Sequence, residues 1–189
     1  MATLGPSGYS PYPVAVYEEL LNPPPGKALM LNEIVDEELA MREAAKAMLT
    51  LPNATIFPGP QVLYAWNEEA KEKAKLVRKM AQVLNAKIIP MYDYRPKYPK
   101  INPAVEINPN HPNLTIWHNK IKACIFVGVH CHYANVALKI IRAETDCFTI
   151  AMCGMAGHED AMITLRDQHV EEMEKFIRIA EEVKKELGK

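Results

Sequence analysis

The chain has 189 residues, enough for one domain with appendages, and 49% of them are hydrophobic, which is ample for a core. Its formal net charge is −1, from 22 basic and 23 acidic residues, so no overall field favours nucleic acid or an acidic membrane surface. The apolar runs are far shorter than the roughly 20 residues of a membrane span, and residues 1–30 lack a signal-peptide pattern. None of the four cysteines forms a CxxC pair, which is typical of reduced thiols. We therefore expect a cytoplasmic protein.

Residues 1–35 are predicted to form a proline-rich arm, followed by a single Rossmann-like α/β domain over 36–189. Six prolines fall within the first 30 residues. Because proline fixes φ and lacks a backbone N–H, we expect neither a helix nor a sheet ladder in residues 1–30. The arm is nevertheless rich in Tyr, Val and Leu. This composition indicates a strap across the protein's own surface, or an arm that docks on a neighbouring subunit.

The first half of the domain alternates helices and strands. Asp36 predicts the N-cap of a helix over 37–49, and a short strand over 54–57 then ends at a Pro-Gly-Pro turn. An apolar stripe predicts one long helix over 62–84, and the next strand covers 86–91. This order is a βαβ unit, which forces parallel pairing. Residues 92–113 are predicted to be a long loop, and 114–117 either a short strand or a helical turn.

The segment 122–157 predicts a second βαβ unit, with buried strands over 123–129 and 147–153 on either side of a crossover helix. Two further helices are predicted, over 158–166 and over 170–187. Together these elements indicate an α/β fold with a Rossmann-like, doubly wound parallel sheet.

Chemically active side chains follow both strands of this central unit. The residues just past the two strand ends are His130, Cys131 and His132, and then Cys153, Gly154, Gly157 and His158. In a parallel sheet both groups fall at the carboxyl edge, where open α/β folds bind ligands. Imidazole and thiolate are ligands for zinc, copper or iron. The candidate metal ligands are therefore Cys131, His130, His132, Cys153 and His158, although no HxxxH or CxxC template supports them.

Two other kinds of site remain open on the residues alone. Cys131, flanked by two histidines, is a candidate thiol nucleophile, but no third catalytic member is identifiable. Helix N-termini at the same edge can hold a nucleotide phosphate, although neither GxGxxG nor a P-loop is present. The candidate cofactor-binding residues are Gly59, His130, His132, Asn135, Gly154 and Gly157.

From about Asp36 onward the chain resembles the epsilon subunit of the archaeal CO dehydrogenase/acetyl-CoA synthase complex. The features that match are the helix EELAMREAAKAM, the strand and turn ATIFPGP before a long helix, and the strand IFVGVHCHYAN feeding a crossover helix. The resemblance implies a fold of the DHS-like NAD/FAD-binding type, like the middle domain of thiamine-diphosphate enzymes. The chain is also similar to the small fifth subunit of some 2-oxoacid:ferredoxin oxidoreductases. The N-terminal arm, the 92–113 loop and the HCH cluster depart from the family pattern.

The resemblance implies an accessory, non-catalytic subunit that stabilises or regulates a multi-subunit anaerobic redox enzyme of acyl-CoA or one-carbon metabolism. The implied partners are larger catalytic subunits, with ferredoxin as an indirect partner. Those subunits would carry iron–sulfur clusters with thiamine diphosphate, or a nickel–iron–sulfur centre, and no cofactor or catalytic residue is assigned to this chain. The alternative is a free-standing nucleotide- or metal-binding enzyme or sensor built on the turn at His130, Cys131 and His132.

Overall fold

A computed structural model describes residues 22–63, 67–91, 103–108, 110–155 and 157–189. Within these ranges seven strands form one sheet: β1 (Lys27–Met30), β2 (Glu33–Asp36), β3 (Thr55–Pro58), β4 (Lys87–Ile88), β5 (Ala123–Val127), β6 (Phe148–Cys153) and β7 (Ile163–Arg166). Six helices accompany them: α1 (Glu37–Thr50), α2 (Pro60–Leu63), α3 (Glu68–Leu84), α4 (Pro112–Asn119), α5 (Cys131–Glu144) and α6 (Val170–Glu186). No helix in the described part of the chain is long and apolar enough to cross a membrane.

The sheet has the order β2-β1-β7-β6-β5-β3-β4, and the five strands from β7 to β4 are parallel. The chain passes from β3 outward to β4 and then returns to build β5, β6 and β7 on the other side. This reversal makes the gap between β3 and β5 the topological switch point. The predicted α/β class and parallel sheet are confirmed for these five strands.

Helices cover both faces of the sheet. Successive strand side chains point to opposite faces, so Ile125 and Val127 pack in one core with α1, α3 and α6, while Cys124 and Phe126 pack in a second core with α4 and α5. This two-sided burial explains why β3 and β5 are continuous apolar runs in the sequence. The finer DHS-like type stays a prediction.

The other two strands form an antiparallel hairpin that extends the sheet beyond β7. Its turn residues Leu31 and Asn32 have φ of 52° and 68°, as a two-residue hairpin turn requires. The prediction that no ladder runs within residues 1–30 is therefore wrong for Lys27–Met30. The last proline within residues 1–30 is Pro25, so each residue of β1 keeps its backbone N–H. Residues 1–21 of the predicted arm over 1–35 lie outside the described residues.

The helix from Glu37 is confirmed, and the Asp36 side chain accepts a hydrogen bond from Glu38 N at 3.1 Å. The prediction of one continuous helix over 62–84 is wrong. Asn67 has extended backbone, with φ of −147°, and its side chain accepts from Ala70 N at 2.7 Å, so it starts α3 as a new N-cap. Residues 64–66 lie outside the described ranges.

The region after α3 differs from prediction in three places. The strand predicted over 86–91 is only Lys87–Ile88, with Met91 in a separate parallel bridge to Ile107. Residues 114–117 belong to α4, so the helical alternative is the correct one. The predicted helix over 158–166 is wrong, because residues 163–166 form β7, paired with β6 along four residues.

Candidate functional site

At the switch point, the two strand ends touch each other directly. Gly59 N donates to Val127 O at 2.8 Å, and Gln61 N donates to Gly128 O at 3.1 Å. A Cβ atom on Gly59 would lie 2.3 Å from Gly128 O and 2.4 Å from Val129 Cα. Only glycine permits this approach, and backbone atoms fill the place where many open α/β folds bind a ligand.

The carboxamide of Gln168, which follows β7, forms hydrogen bonds at the same switch point. Its Oε1 accepts from Gly128 N at 2.7 Å, and its Nε2 is hydrogen-bonded to Gln61 Oε1. Gly128 has φ of 67°, and Val62 packs against its Cα. Gly128 N, an amide that could otherwise point at a ligand phosphate, is thus already bonded within the protein.

We expect Gln168→Ala to lower the free energy of unfolding by about 2 kcal/mol, because it leaves the buried Gly128 N–H without an acceptor. Urea denaturation measures the loss. The matched control is Gln61→Ala, which removes the other carboxamide but leaves the bond from Gly128 N to Gln168 in place. Equal losses in the two variants would show that the Gly128 bond is not what Gln168 contributes.

A cleft of about 390 Å³ opens beside this closure. Its lining comes from the residues around α2 and α3 and from the chain just past β5, β6 and β7, namely Gln61, Asn67, Glu69, Ala70, Lys73, His130, Gly154, Met155, Asp167, Gln168 and His169. Its volume is near the lower end for small-molecule sites.

Ionisable side chains form a connected chain along this cleft. Buried Lys73 Nζ lies 2.7 Å from Glu69 Oε1, which in turn lies 3.2 Å from His169 Nδ1. His169 Nε2 lies 3.1 Å from Asp167 Oδ1. The hydrogen bond from Lys73, followed by that from His169, lowers the pKa of Glu69 below its ordinary value. The carboxylate of Glu69 therefore stays ionised and holds the buried ammonium in place.

Only part of the predicted metal set comes together. The exposed His130 and His132 rings stack with centroids 5.8 Å apart at the start of α5, and Cys131 is the first residue of that helix. Cys153 is buried at the end of β6, where its Sγ accepts from Met155 N at 3.5 Å. Across the described ranges, no three His, Cys, Asp or Glu side chains are grouped to hold a metal ion.

His158 is buried and is directed toward α5. Its Nδ1 lies 2.5 Å from Asn135 Oδ1, so Nδ1 carries the proton in this arrangement, and its backbone N donates to Thr164 Oγ1 at 3.0 Å. Burial lowers the pKa of His158 to about 4. The predicted residues Asn135 and His158 are thus brought together as a structural pair that ties the β6–β7 connection to α5. Gly157, which directly precedes His158, is also buried, and Gly154 lines the cleft described above.

Most of the side chains that line the cleft are not among the site residues predicted from the sequence. Asp167, Gln168 and His169 directly follow β7, which the sequence predicts as part of a helix. Residues after a parallel strand are expected at the carboxyl edge, so a correct assignment of β7 would have pointed to all three. Lys73 carried no such signal, because it lies inside a helix.

The strand order and the helices on both faces define a doubly wound α/β domain with a small cleft at its carboxyl edge. Residues 18–183 match the family described as CO dehydrogenase beta subunit/acetyl-CoA synthase epsilon subunit. This match covers most of the chain, so the chain belongs to that family, as the sequence features predicted. No curated protein matches the chain.

Proposed function

We propose that the chain is an accessory, non-catalytic subunit of a multi-subunit redox enzyme of the CO dehydrogenase/acetyl-CoA synthase type. The observation that carries this proposal is the family match over residues 18–183, because the family is described by two subunit names. The closed switch point supports it, since Gly59 N and Gly128 N are both bonded within the protein. The free-standing enzyme or sensor built on the His130 turn stays a prediction, as does the cytoplasmic location.

A surface suited to a larger partner lies at the opposite edge of the sheet, where the parallel strands begin. A groove of about 700 Å³, here called the amino-edge groove, is lined there by apolar and charged side chains that include Leu51, Trp117, Lys122, Asp146, Phe148 and Met162. Trp117 is 51% exposed and Leu51 is 37% exposed. Large apolar side chains that are this exposed and lie together in a concave region are typical of interaction sites.

Ion pairs surround the apolar part of the groove. Lys122 Nζ lies 2.7 Å from Asp146 Oδ2, and Arg142 Nη2 lies 2.8 Å from Asp160 Oδ1. An apolar centre with a polar rim is the usual anatomy of a subunit interface, and tryptophan is among the residues that most often dominate binding energy there. We place the docking of the larger catalytic subunit at this groove, with Trp117 as its main anchor.

We expect Trp117→Glu to weaken binding of the larger subunit by about 30-fold, because losing a dominant aromatic anchor costs about 2 kcal/mol or more. The control is Val136→Glu on α5, since Val136 is 45% exposed but does not line the groove. Affinity purification of tagged full-length variants, with the partner chain identified by mass spectrometry, measures the effect. Equal recovery of the same partner with Trp117→Glu and with the unchanged chain would contradict this placement.

The identity of that partner separates the two complexes that the sequence resembles. A partner with nickel and iron–sulfur centres supports the CO dehydrogenase complex. A partner with thiamine diphosphate and iron–sulfur clusters supports a 2-oxoacid:ferredoxin oxidoreductase, with ferredoxin as the indirect electron partner. Metal analysis of the purified complex distinguishes them.

A further inference from the structure

Two thiols from different elements meet at the wall of the amino-edge groove. Cys124 Sγ and Cys147 Sγ lie 3.8 Å apart. Cys124 is on β5 and fully buried, whereas Cys147 directly precedes β6, is 7% exposed and lines the groove. Phe148 N donates to Lys122 O at 2.9 Å, which fixes the residue after Cys147 against the residue two places before Cys124, at the amino end of the β5–β6 ladder.

We propose that Cys147 and Cys124 form an oxidation site that reacts with small disulfides entering the amino-edge groove. The two sulfurs must approach by roughly 1.8 Å to reach disulfide bonding distance. Side-chain rotation covers much of such a distance, because each thiol already faces the other. This inference concerns the isolated chain and does not depend on the proposed subunit role.

The reaction is two successive thiol–disulfide exchanges. The Cys147 thiolate attacks one sulfur of the small disulfide, whose S–S bond breaks and releases one thiol, leaving a mixed disulfide on Cys147. Cys124 then attacks Cys147 Sγ and releases the second thiol. The small disulfide gains two electrons and the two protons of the protein thiols, and the protein loses two electrons to form the Cys124–Cys147 bond.

The positions of the two thiols set the order of these steps. Cys147 reacts first because it lines the groove, while Cys124 has no exposed surface. Burial, together with the neighbouring Cys147 thiol, raises the pKa of Cys124 well above its ordinary value. The second exchange is therefore the slow one, and a mixed disulfide on Cys147 accumulates before the cross-link.

Oxidation of the reduced full-length chain with oxidised glutathione tests the site. Aliquots taken over time are denatured and alkylated with iodoacetamide, then digested with trypsin and chymotrypsin. This digestion separates all four cysteines, since Cys124 lies in peptide 123–126 and Cys147 in peptide 143–148. We expect a glutathione adduct on peptide 143–148, followed by a cross-link between the two peptides. The melting temperature should rise, because a bond between residues 23 apart in sequence restricts the unfolded chain.

Two variants isolate the steps. Cys124→Ser should trap the glutathione adduct on Cys147, and Cys131→Ser should cross-link like the unchanged chain. Should Cys124→Ser fail to fold, the order of adduct and cross-link in the unchanged chain still tests the mechanism. Full alkylation of Cys124 and Cys147 after oxidation would overturn the proposal. So would a permanent adduct on Cys147 of the unchanged chain without any cross-link.

Discussion

Gly59→Ala should prevent stable folding or lower the free energy of unfolding by at least about 3 kcal/mol, the upper end of the usual cost of overpacking. The added Cβ would lie 2.3 Å from Gly128 O and 2.4 Å from Val129 Cα. Both obstacles are backbone atoms of the chain that leaves β5, so neither can rotate away. Relief requires β3 and β5 to separate at their ends, which also breaks the bond from Gly59 N to Val127 O.

Gly154→Ala is the matched control for this prediction. A Cβ at Gly154 would lie 3.1 Å from Asp167 Oδ1, which is a side-chain atom that can move by a few tenths of an ångström. We therefore expect a loss below about 1 kcal/mol for this variant. Circular dichroism and urea denaturation of both variants provide the comparison. If Gly59→Ala is as stable as Gly154→Ala, the two strand ends do not touch as described.

Acidification should remove about 3 kcal/mol of stability through His158 alone, between pH about 6.5 and pH about 4. Burial lowers the pKa of His158 from 6.5 to about 4 in the folded protein. Between these two values the unfolded chain binds a proton that the folded chain does not. Stability is therefore complete above the unfolded pKa and decreases as the pH falls toward the folded value.

Urea denaturation of the unchanged chain and of His158→Gln, at a series of pH values, isolates this contribution. The variant has no imidazole to titrate, so the stability difference between the two proteins should shrink as the pH falls. The subtraction is needed because Asp160 acts in the opposite direction: burial raises its pKa despite Arg142 and Lys139 nearby. If the free energy of unfolding changed with pH in the same way in both proteins, His158 would not be held neutral by burial.

The elements that the sequence predicted well are those whose signals are local. Asp36 caps α1 in the structure as its position before an amphipathic segment indicated, and α6 follows its apolar stripe closely. The strands β3, β5 and β6 are apolar runs because helices cover both faces of the sheet. Their parallel pairing followed from the crossover helices alone.

The elements that were missed take their structure from tertiary pairing. The four residues of β7 come shortly after Glu159 and Asp160, an acidic pair that is also typical of a helix start. In the fold Asp160 instead pairs with Arg142 of α5, and β7 is fixed by its ladder with β6. The hairpin β1–β2 likewise depends on the edge that β7 offers.

The candidate sites, too, could be predicted only where they depend on local sequence signals. Placement of His130 and Gly154 at the carboxyl edge followed from strand order. The cleft partners Lys73 and Glu69 depend on how α3 is rotated against the sheet, which its own sequence does not specify. The contact between Cys124 and Cys147 depends on the register of β5 with β6, so it appears only once the two strands are paired.

We propose that this chain works as a subunit bound to larger partners, and its state in the cell tests this most directly. Tagged full-length chain should be purified without oxygen from the cells that produce it, and its mass determined by light scattering with mass-spectrometric identification of every chain. We predict a complex far above the chain's own 21.3 kDa that contains a catalytic subunit with iron–sulfur centres. Recovery only as a free 21.3 kDa chain would contradict the proposed function.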